Sequence, residues 1–479
     1  MHLSDSSLLA TDAFIGGEWI GSSERLAVRD PARGNLLAEV ADCDRAAAAE
    51  AIARAGRAQP AWAALTGKER AAHLRRWHDL VVANADDLAR ILTAEMGKPL
   101  AEAKAEILYG AAYIEWFAEE AKRIYGDIIP GHQRDKRLLV LKQPVGVVAA
   151  ITPWNFPNAM IARKLAPALA AGCTIVAKPA AETPLSALAL AVLAERAGLP
   201  KGVLSIVPSS RSAELGLEFC QNPAVRKLSF TGSTNVGRIL MRQSADQIKM
   251  LSLELGGNAP FIVFDDADID AAVDGAIASK FRNAGQTCVC TNRIYAQAGI
   301  HEVFSHRLAE RVSKLKVGPG DADGVEIGPL ISLAALAKVQ DHVADALANG
   351  ARLLFGGAQL EGTFFQPTVL AGVSTQAKLA REETFGPLAA VFSFESEDEV
   401  IALANDTEFG LASYVYTRDL ARAWRVMERL ECGMVGINTG LISTEVAPFG
   451  GIKQSGMGRE GSHYGIEDYL ELKYACVSV

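Results

Sequence analysis

Residues 145–178 read Val-Gly-Val-Val-Ala-Ala-Ile-Thr-Pro-Trp-Asn-Phe-Pro-Asn-Ala-Met-Ile-Ala-Arg-Lys-Leu-Ala-Pro-Ala-Leu-Ala-Ala-Gly-Cys-Thr-Ile-Val-Ala-Lys, and they decide the fold class. An apolar strand, 145–151, runs through a polar turn into a helical stretch, 159–171. A second apolar strand, 174–178, follows at once. The pattern repeats with strands at 203–207, 227–230 and 261–264 and a helical stretch at 184–197. Strand, helix, strand at this spacing predicts a parallel α/β sheet, whose ligands sit at the carboxyl ends of its strands.

Outward from this core, residues 1–125 read mostly as helix. Ala46 to Ala58 is Ala-rich and follows Asp44, a good N-cap. Leu74, Trp77, Val81, Leu88 and Leu92 recur at helical spacing until Gly97 and Pro99 interrupt. A further amphipathic run extends from Glu102 to Ile124. A second α/β region covers about 258–450, with strands expected at 293–297, 388–394, 413–417 and 434–437. The tail, 469–479, reads as one more strand, and an edge strand at a chain end often pairs with another subunit.

The chain has 479 residues, 49% of them apolar and 22% charged, so two or three domains with a large core are expected. A net charge of −8 and the absence of a Lys/Arg run argue against a nucleic-acid partner. The longest apolar run, Ala187 to Ala194, is too short for a bilayer, and the N-terminus lacks signal-peptide features. Seven cysteines, an odd count at low density, fit a reducing, cytoplasmic setting without a disulfide framework. No C-x-x-C pair or Cys/His cluster suggests a metal.

The chemistry concentrates in two places. Residues 281–290, Phe-Arg-Asn-Ala-Gly-Gln-Thr-Cys-Val-Cys, put Cys288 among small and polar neighbours. Thirty-four positions earlier, Leu-Glu-Leu-Gly-Gly sets Glu254 before a glycine pair. A thiol and a carboxylate so placed suggest a nucleophile and a base. Asn155, held between Pro153 and Pro157, is suited to donate to an oxyanion, or it forms an ordinary Asx turn. Gly232 and Ser233 stand in a turn leading to a helix, which suits a phosphate or is a plain connection. Lys178 ends a strand, as a ligand-binding cation or a solvated lysine.

Together these segments resemble the aldehyde dehydrogenase superfamily over the full length. Pro-Trp-Asn-Phe-Pro, Lys178-Pro179, Phe-Thr-Gly-Ser, Leu-Glu-Leu-Gly-Gly, Gly-Gln-Thr-Cys, Glu382-Glu383-Thr384-Phe385-Gly386-Pro387 and Pro448-Phe449-Gly450-Gly451 carry the likeness. It implies a Rossmann-like cofactor domain (1–125 and 145–256), an α/β catalytic domain (257–453) and a small β oligomerisation element (126–144 and 465–479). A homodimer or homotetramer is expected. The resemblance assigns Cys288 as nucleophile, Asn155 as oxyanion donor and Glu254 as the base that hydrolyses a thioester. It assigns cofactor contacts to Trp154, Asn155, Lys178, Ala181, Gly232, Ser233, Leu255 and Glu383.

Within the superfamily, Lys280 to Cys290, Met160 to Lys164 and Gly440 to Gly451 are most similar to succinate-semialdehyde dehydrogenases. By that likeness Arg163 and Arg282 bind the substrate carboxylate and Ser443 hydrogen-bonds it; a structural salt bridge is the other reading of either arginine. The implied reaction oxidises succinate semialdehyde through a thiohemiacetal and thioester. Glutarate semialdehyde, one methylene longer, competes, as does some other aldehyde. Many NAD-preferring relatives place Glu three residues after the strand-end Lys. Here that position is Ala181 and the acidic residue, Glu182, comes one later, from where it can still swing in; NADP is expected, with NAD a lesser substrate. Similar members can form a disulfide across a pair like Cys288 and Cys290, an oxidative off-switch; Cys290 as a small buried residue is the alternative. A cysteine-dependent thioester hydrolase and a non-catalytic homologue complete the possibilities.

Overall fold

The computed structural model describes all 479 residues. Two large sheets and a small one organise the chain. The first sheet has eight strands, in the order Gly456–Met457, Met250–Glu254, Val225–Thr231, Val147–Ile151, Thr174–Lys178, Leu204–Ile206, Ala13–Ile15 and Glu18–Ile20. Its five central strands are parallel and its edges antiparallel. Val147–Ile151 and Thr174–Lys178 are apolar on both faces because helices cover both, as a parallel sheet requires.

Helix Arg45–Ala63 starts where Asp44 caps Ala47 N at 2.9 Å. Helix Gly67–Ala83 opens on a capping box between Thr66 and Glu69. Helices Ala85–Met96 and Leu100–Glu120 follow. The mostly helical reading of residues 1–125 needs correction. Four short strands precede residue 45, two joining the large sheet and two, Arg25–Arg29 and Leu36–Ala41, forming a hairpin. Runs of three to six residues are too short to show a period against the helical pattern that follows.

The second sheet has seven strands, in the order Arg352–Phe355, Thr368–Ala371, Leu388–Phe394, Thr291–Gln297, Ala259–Val263, Ala412–Tyr416 and Met434–Ile437. All pair in parallel except the first. Strand Leu470–Ser478 pairs antiparallel with Lys136–Pro144, which also pairs with Asp127–Ile129. No helix is long and apolar enough to cross a membrane.

The site follows from how the sheets meet. Ile151 pairs with Lys178 and with Phe230, and Thr231 with Glu254, so four parallel strands end almost level. The chain crosses from Glu254 to Ala259 into the second sheet. There Ala259 pairs with Thr291, just beyond Cys288. Carboxyl ends of the first sheet therefore face amino ends of the second.

Candidate active site

Cys288 stands where two cavities meet, and it lines both. One, of about 200 Å³, is walled by Tyr109, Phe156, Arg163, Arg282, Ser443 and Phe449. The other, of about 280 Å³, is walled by Trp154, Asn155, Gly232, Ser233, Glu254 and Glu383, with Leu255 beside them.

The glycine pair after Glu254 has a steric cause. A Cβ on Gly256 would lie 2.9 Å from Glu383 Oε2, and one on Gly257 would lie 2.6 Å from the Cys288 carbonyl oxygen. Only glycine lets both site segments close on this loop. Gly257 N donates to Glu383 Oε1 at 3.2 Å. Burial lifts the Glu383 carboxyl to about 7.

Glu254 ends its strand fully enclosed, and neither carboxylate oxygen has a hydrogen-bond partner. Burial raises its pKa well above the usual carboxylate range. The Glu460 carboxylate adds to the rise, and Arg163, Lys164 and Arg459 oppose it. Burial also pushes the Cys288 thiol up to about 12, against the pull of Arg163 and Arg282.

Asn155 is held at both ends. Its Nδ2 donates to Gln286 O at 3.0 Å, in the segment leading to Cys288. Its carbonyl accepts from Lys98 Nζ at 2.8 Å and from Asn283 Nδ2 at 3.0 Å. Lys98 in turn pairs with Glu106 at 2.5 Å, and Glu106 Oε1 accepts Asn158 N and Ala159 N at the start of helix Ala159–Ala171. One buried network thus ties the Trp154–Asn155 turn to helix Leu100–Glu120.

The two arginines differ. Arg163 is buried, with Nη2 2.6 Å from Glu460 Oε2 and its guanidinium 4.0 Å from the Phe449 ring centre. Arg163 is expected from sequence beside Arg282 for a substrate carboxylate, with a structural salt bridge as the other reading; it lines the cavity, shares Glu460 with Lys164 and keeps an Nε without a partner. Arg282 makes no ion pair, and its Nε has no partner. Its guanidinium lies 5.4 Å from the Phe156 ring centre.

Three expected residues lie apart from these cavities. Lys178 is buried at its strand end, where Nζ donates to Pro179 O at 3.1 Å. Burial lowers its pKa to about 8, with Glu182 and Asp42 opposing. Ala181 is half-buried just beyond it. Cys290 is buried, with Sγ 3.3 Å from Gly285 O and 3.5 Å from Lys280 Nζ. A bridge to Cys288 must draw it out of that contact.

Helix Leu333–Ala348 supplies residues not expected from sequence. Lys338 lines the larger cavity, and its Nζ donates to Glu383 O at 2.5 Å. His342 contacts Thr384 Oγ1 at 3.2 Å and Glu382 Oε2 at 3.3 Å. Both sit on a helix whose amphipathic pattern is fully explained by packing, so nothing in the sequence singles them out.

The model of the aldehyde dehydrogenase family matches residues 19–475. The chain is 62% identical to the glutarate-semialdehyde dehydrogenase of Pseudomonas putida, with 100% of each chain covered. It is also 62% identical to the NADP(+) succinate-semialdehyde dehydrogenase of Escherichia coli, again over 100% of each. The crystal structure of succinate-semialdehyde dehydrogenase from Burkholderia pseudomallei superposes with a TM-score of 0.99, at 62% identity and 100% coverage of both chains.

Proposed function

Because the chain belongs to the aldehyde dehydrogenase family, we propose that it oxidises succinate semialdehyde to succinate, with NADP the favoured electron acceptor. The observation that carries this reading is Arg282, the cation of the smaller cavity that no carboxylate of the chain neutralises. A guanidinium left unpaired beside the nucleophile suits a substrate whose far end is a carboxylate. Ser443, on the same cavity, offers a hydroxyl. Glutarate semialdehyde is the second reading, favoured by the Pseudomonas putida relative. One methylene separates the two, worth about 1–3 kcal/mol in a pocket.

The residues of the larger cavity suit a dinucleotide. Helix Thr234–Ser244 starts at Ser233 on the cavity wall, where first-turn N–H groups favour a phosphate. Lys178, buried outside that cavity, has a single carbonyl partner at Nζ, and its remaining donors suit a ribose hydroxyl or phosphate. Ala181 puts no carboxylate at the position where acidity would repel a 2′-phosphate. Trp154, Glu383 and Leu255 would hold the nicotinamide end.

Cys288 gives its thiol proton to water and the sulfur adds to the aldehyde carbon; a C–S bond forms and the carbonyl electrons move to oxygen. Asn155 Nδ2 and the Cys288 N–H donate to that oxygen. A nicotinamide held in the larger cavity by Trp154, Leu255 and Glu383 would supply the acceptor for the hydride lost from the thiohemiacetal carbon. A thioester remains on Cys288. Glu254 takes a proton from water, the water oxygen attacks the thioester carbon, and Cys288 departs as thiolate.

The sheet layout supports a cofactor domain (1–125, 145–256), a catalytic domain (257–453) and an oligomerisation element (126–144, 465–479). Ile129, Leu472 and Tyr474 are exposed on one side of the three-stranded sheet, an apolar face suited to a second copy in a homodimer or homotetramer. A cytoplasmic setting fits seven free cysteines.

Steady-state kcat/KM for succinate semialdehyde, glutarate semialdehyde and butanal, each with NADP and NAD, tests the reading. The acidic substrates should exceed butanal by at least about tenfold. Equal values for all three would refute it.

A further inference from the structure

Four charged side chains line the smaller cavity: Glu102, Glu106, Arg163 and Arg282. Two are ion-paired within the protein, Glu106 with Lys98 and Arg163 with Glu460, which Lys164 shares. Glu102 and Arg282 remain, and no ion pair joins them. They are linked instead through the backbone. Glu102 Oε2 accepts the N–H of Asn283, the residue after Arg282, at 2.8 Å.

That N–H belongs to an unusual turn. Asn283 and Ala284 both hold φ of 54°, in the left-handed region that side chains other than glycine avoid. Such backbone persists where the surroundings over-determine it. Here the turn is held at several points, among them Asn283 Nδ2 donating to Asn155 O at 3.0 Å and Gln286 O at 3.1 Å, and Thr287 Oγ1 donating to Arg282 O at 3.4 Å. At the Cys288 end, Gln286 Nε2 donates to Asn283 O at 3.1 Å and to Pro329 O at 3.3 Å, and Gln286 Oε1 accepts Ile331 N at 2.9 Å. At the Arg282 end, the side-chain acceptor is Glu102. Burial raises the Glu102 carboxyl, and Lys98, the Asn283 N–H and Arg282 pull it back, so the arginine is near enough to be felt.

We propose that Glu102 is a positioning residue for substrate selection: by fixing the Asn283 N–H it holds Arg282 in the cavity, while Gln286, anchored to Pro329 and Ile331, holds the nucleophile's end of the same turn. The proposal rests on the reading of Arg282 as the carboxylate clamp. Glu102 serves as an acceptor, so a neutral acceptor of the same length performs the same task. Its charge alone would act the other way, repelling an acidic substrate.

The experiment measures KM and kcat of Glu102→Ala, Glu102→Gln and Arg282→Ala with succinate semialdehyde and butanal, and the rate of Cys288 alkylation by iodoacetamide. Glu102→Ala should raise KM for succinate semialdehyde about tenfold, with at most about twofold change in KM for butanal and in alkylation. Glu102→Gln should restore KM to within about twofold of the parent. A Glu102→Ala variant with lower KM for the acid, equal loss on both substrates, or a Gln variant as impaired as Ala would overturn the proposal. Arg282→Ala separates the two layers. If it impairs both substrates equally, the clamp itself fails; if it is selective and Glu102→Ala is not, only the positioning role fails. Should Glu102→Ala not fold, Glu102→Asp, which withdraws the acceptor by one methylene, should raise KM for the acid about threefold with the same selectivity; an unselective effect counts against the proposal equally.

Discussion

Arg163 Nη2 lies 2.6 Å from Glu460 Oε2, and Lys164 Nζ reaches the other oxygen of the same carboxylate at the same distance. All three side chains are enclosed, so one anion balances two buried cations. Glu460→Ala would leave both cations uncompensated and should cost about 3–5 kcal/mol of stability. Urea unfolding of the parent and variant checks this, and a loss under about 1 kcal/mol would place the pair among surface-like contacts.

Glu254 acts as a base only when ionised, and burial, reinforced by Glu460, raises its pKa. Thioester hydrolysis should therefore slow as pH falls through that raised pKa, well above the ordinary Glu value of about 4.3. Glu254→Gln should release about one equivalent of reduced nicotinamide per site in a burst and then nearly stop. Stopped-flow absorbance across pH reads both effects. Sustained turnover by the Gln variant would exclude Glu254 as the hydrolytic base.

In the proposed cofactor reading, Ala181 is the position beside buried Lys178 where a carboxylate would repel a 2′-phosphate. Ala181→Glu should lower kcat/KM for NADP by about tenfold or more and leave NAD within about threefold. Steady-state kinetics with both dinucleotides decides it. A parent enzyme that already prefers NAD strongly contradicts the cofactor reading.

Cys290 Sγ rests against Lys280 Nζ and Gly285 O, away from both cavities. If a Cys288–Cys290 disulfide shuts the enzyme off, peroxide inactivation of the parent should reverse with dithiothreitol. Cys290→Ala should instead progress to irreversible loss, because the sulfenic acid has no resolving thiol. Identical recovery of the two proteins would remove the switch.

The parallel core was legible because its strands are enclosed on both faces and read as short apolar runs between helices. Thr174–Lys178, Ala159–Ala171, Leu388–Phe394 and Met434–Ile437 lie where the apolar pattern predicts them. Strand Met250–Glu254 was visible only as the motif at its end, because Lys249 and Met250 blur its start. Cys288, Glu254, Asn155, Trp154 and Glu383 converge because each motif brackets a strand end with glycine or proline. The state of Arg163 was not legible. Its partner Glu460 lies 297 positions away and shares no motif with it. Lys338 was hidden for a similar reason, since an exposed helical lysine carries no local sign that a loop carbonyl awaits it.

In the proposed reaction one sulfur, that of Cys288, carries the substrate as an acyl group. Intact and peptide mass spectrometry of Glu254→Gln, quenched after mixing with succinate semialdehyde and NADP, tests it most directly. A succinyl adduct is expected on the peptide containing Cys288, absent when Cys288→Ser is combined with the same variant. An unmodified Cys288 peptide, or an adduct that survives the serine substitution, would contradict it.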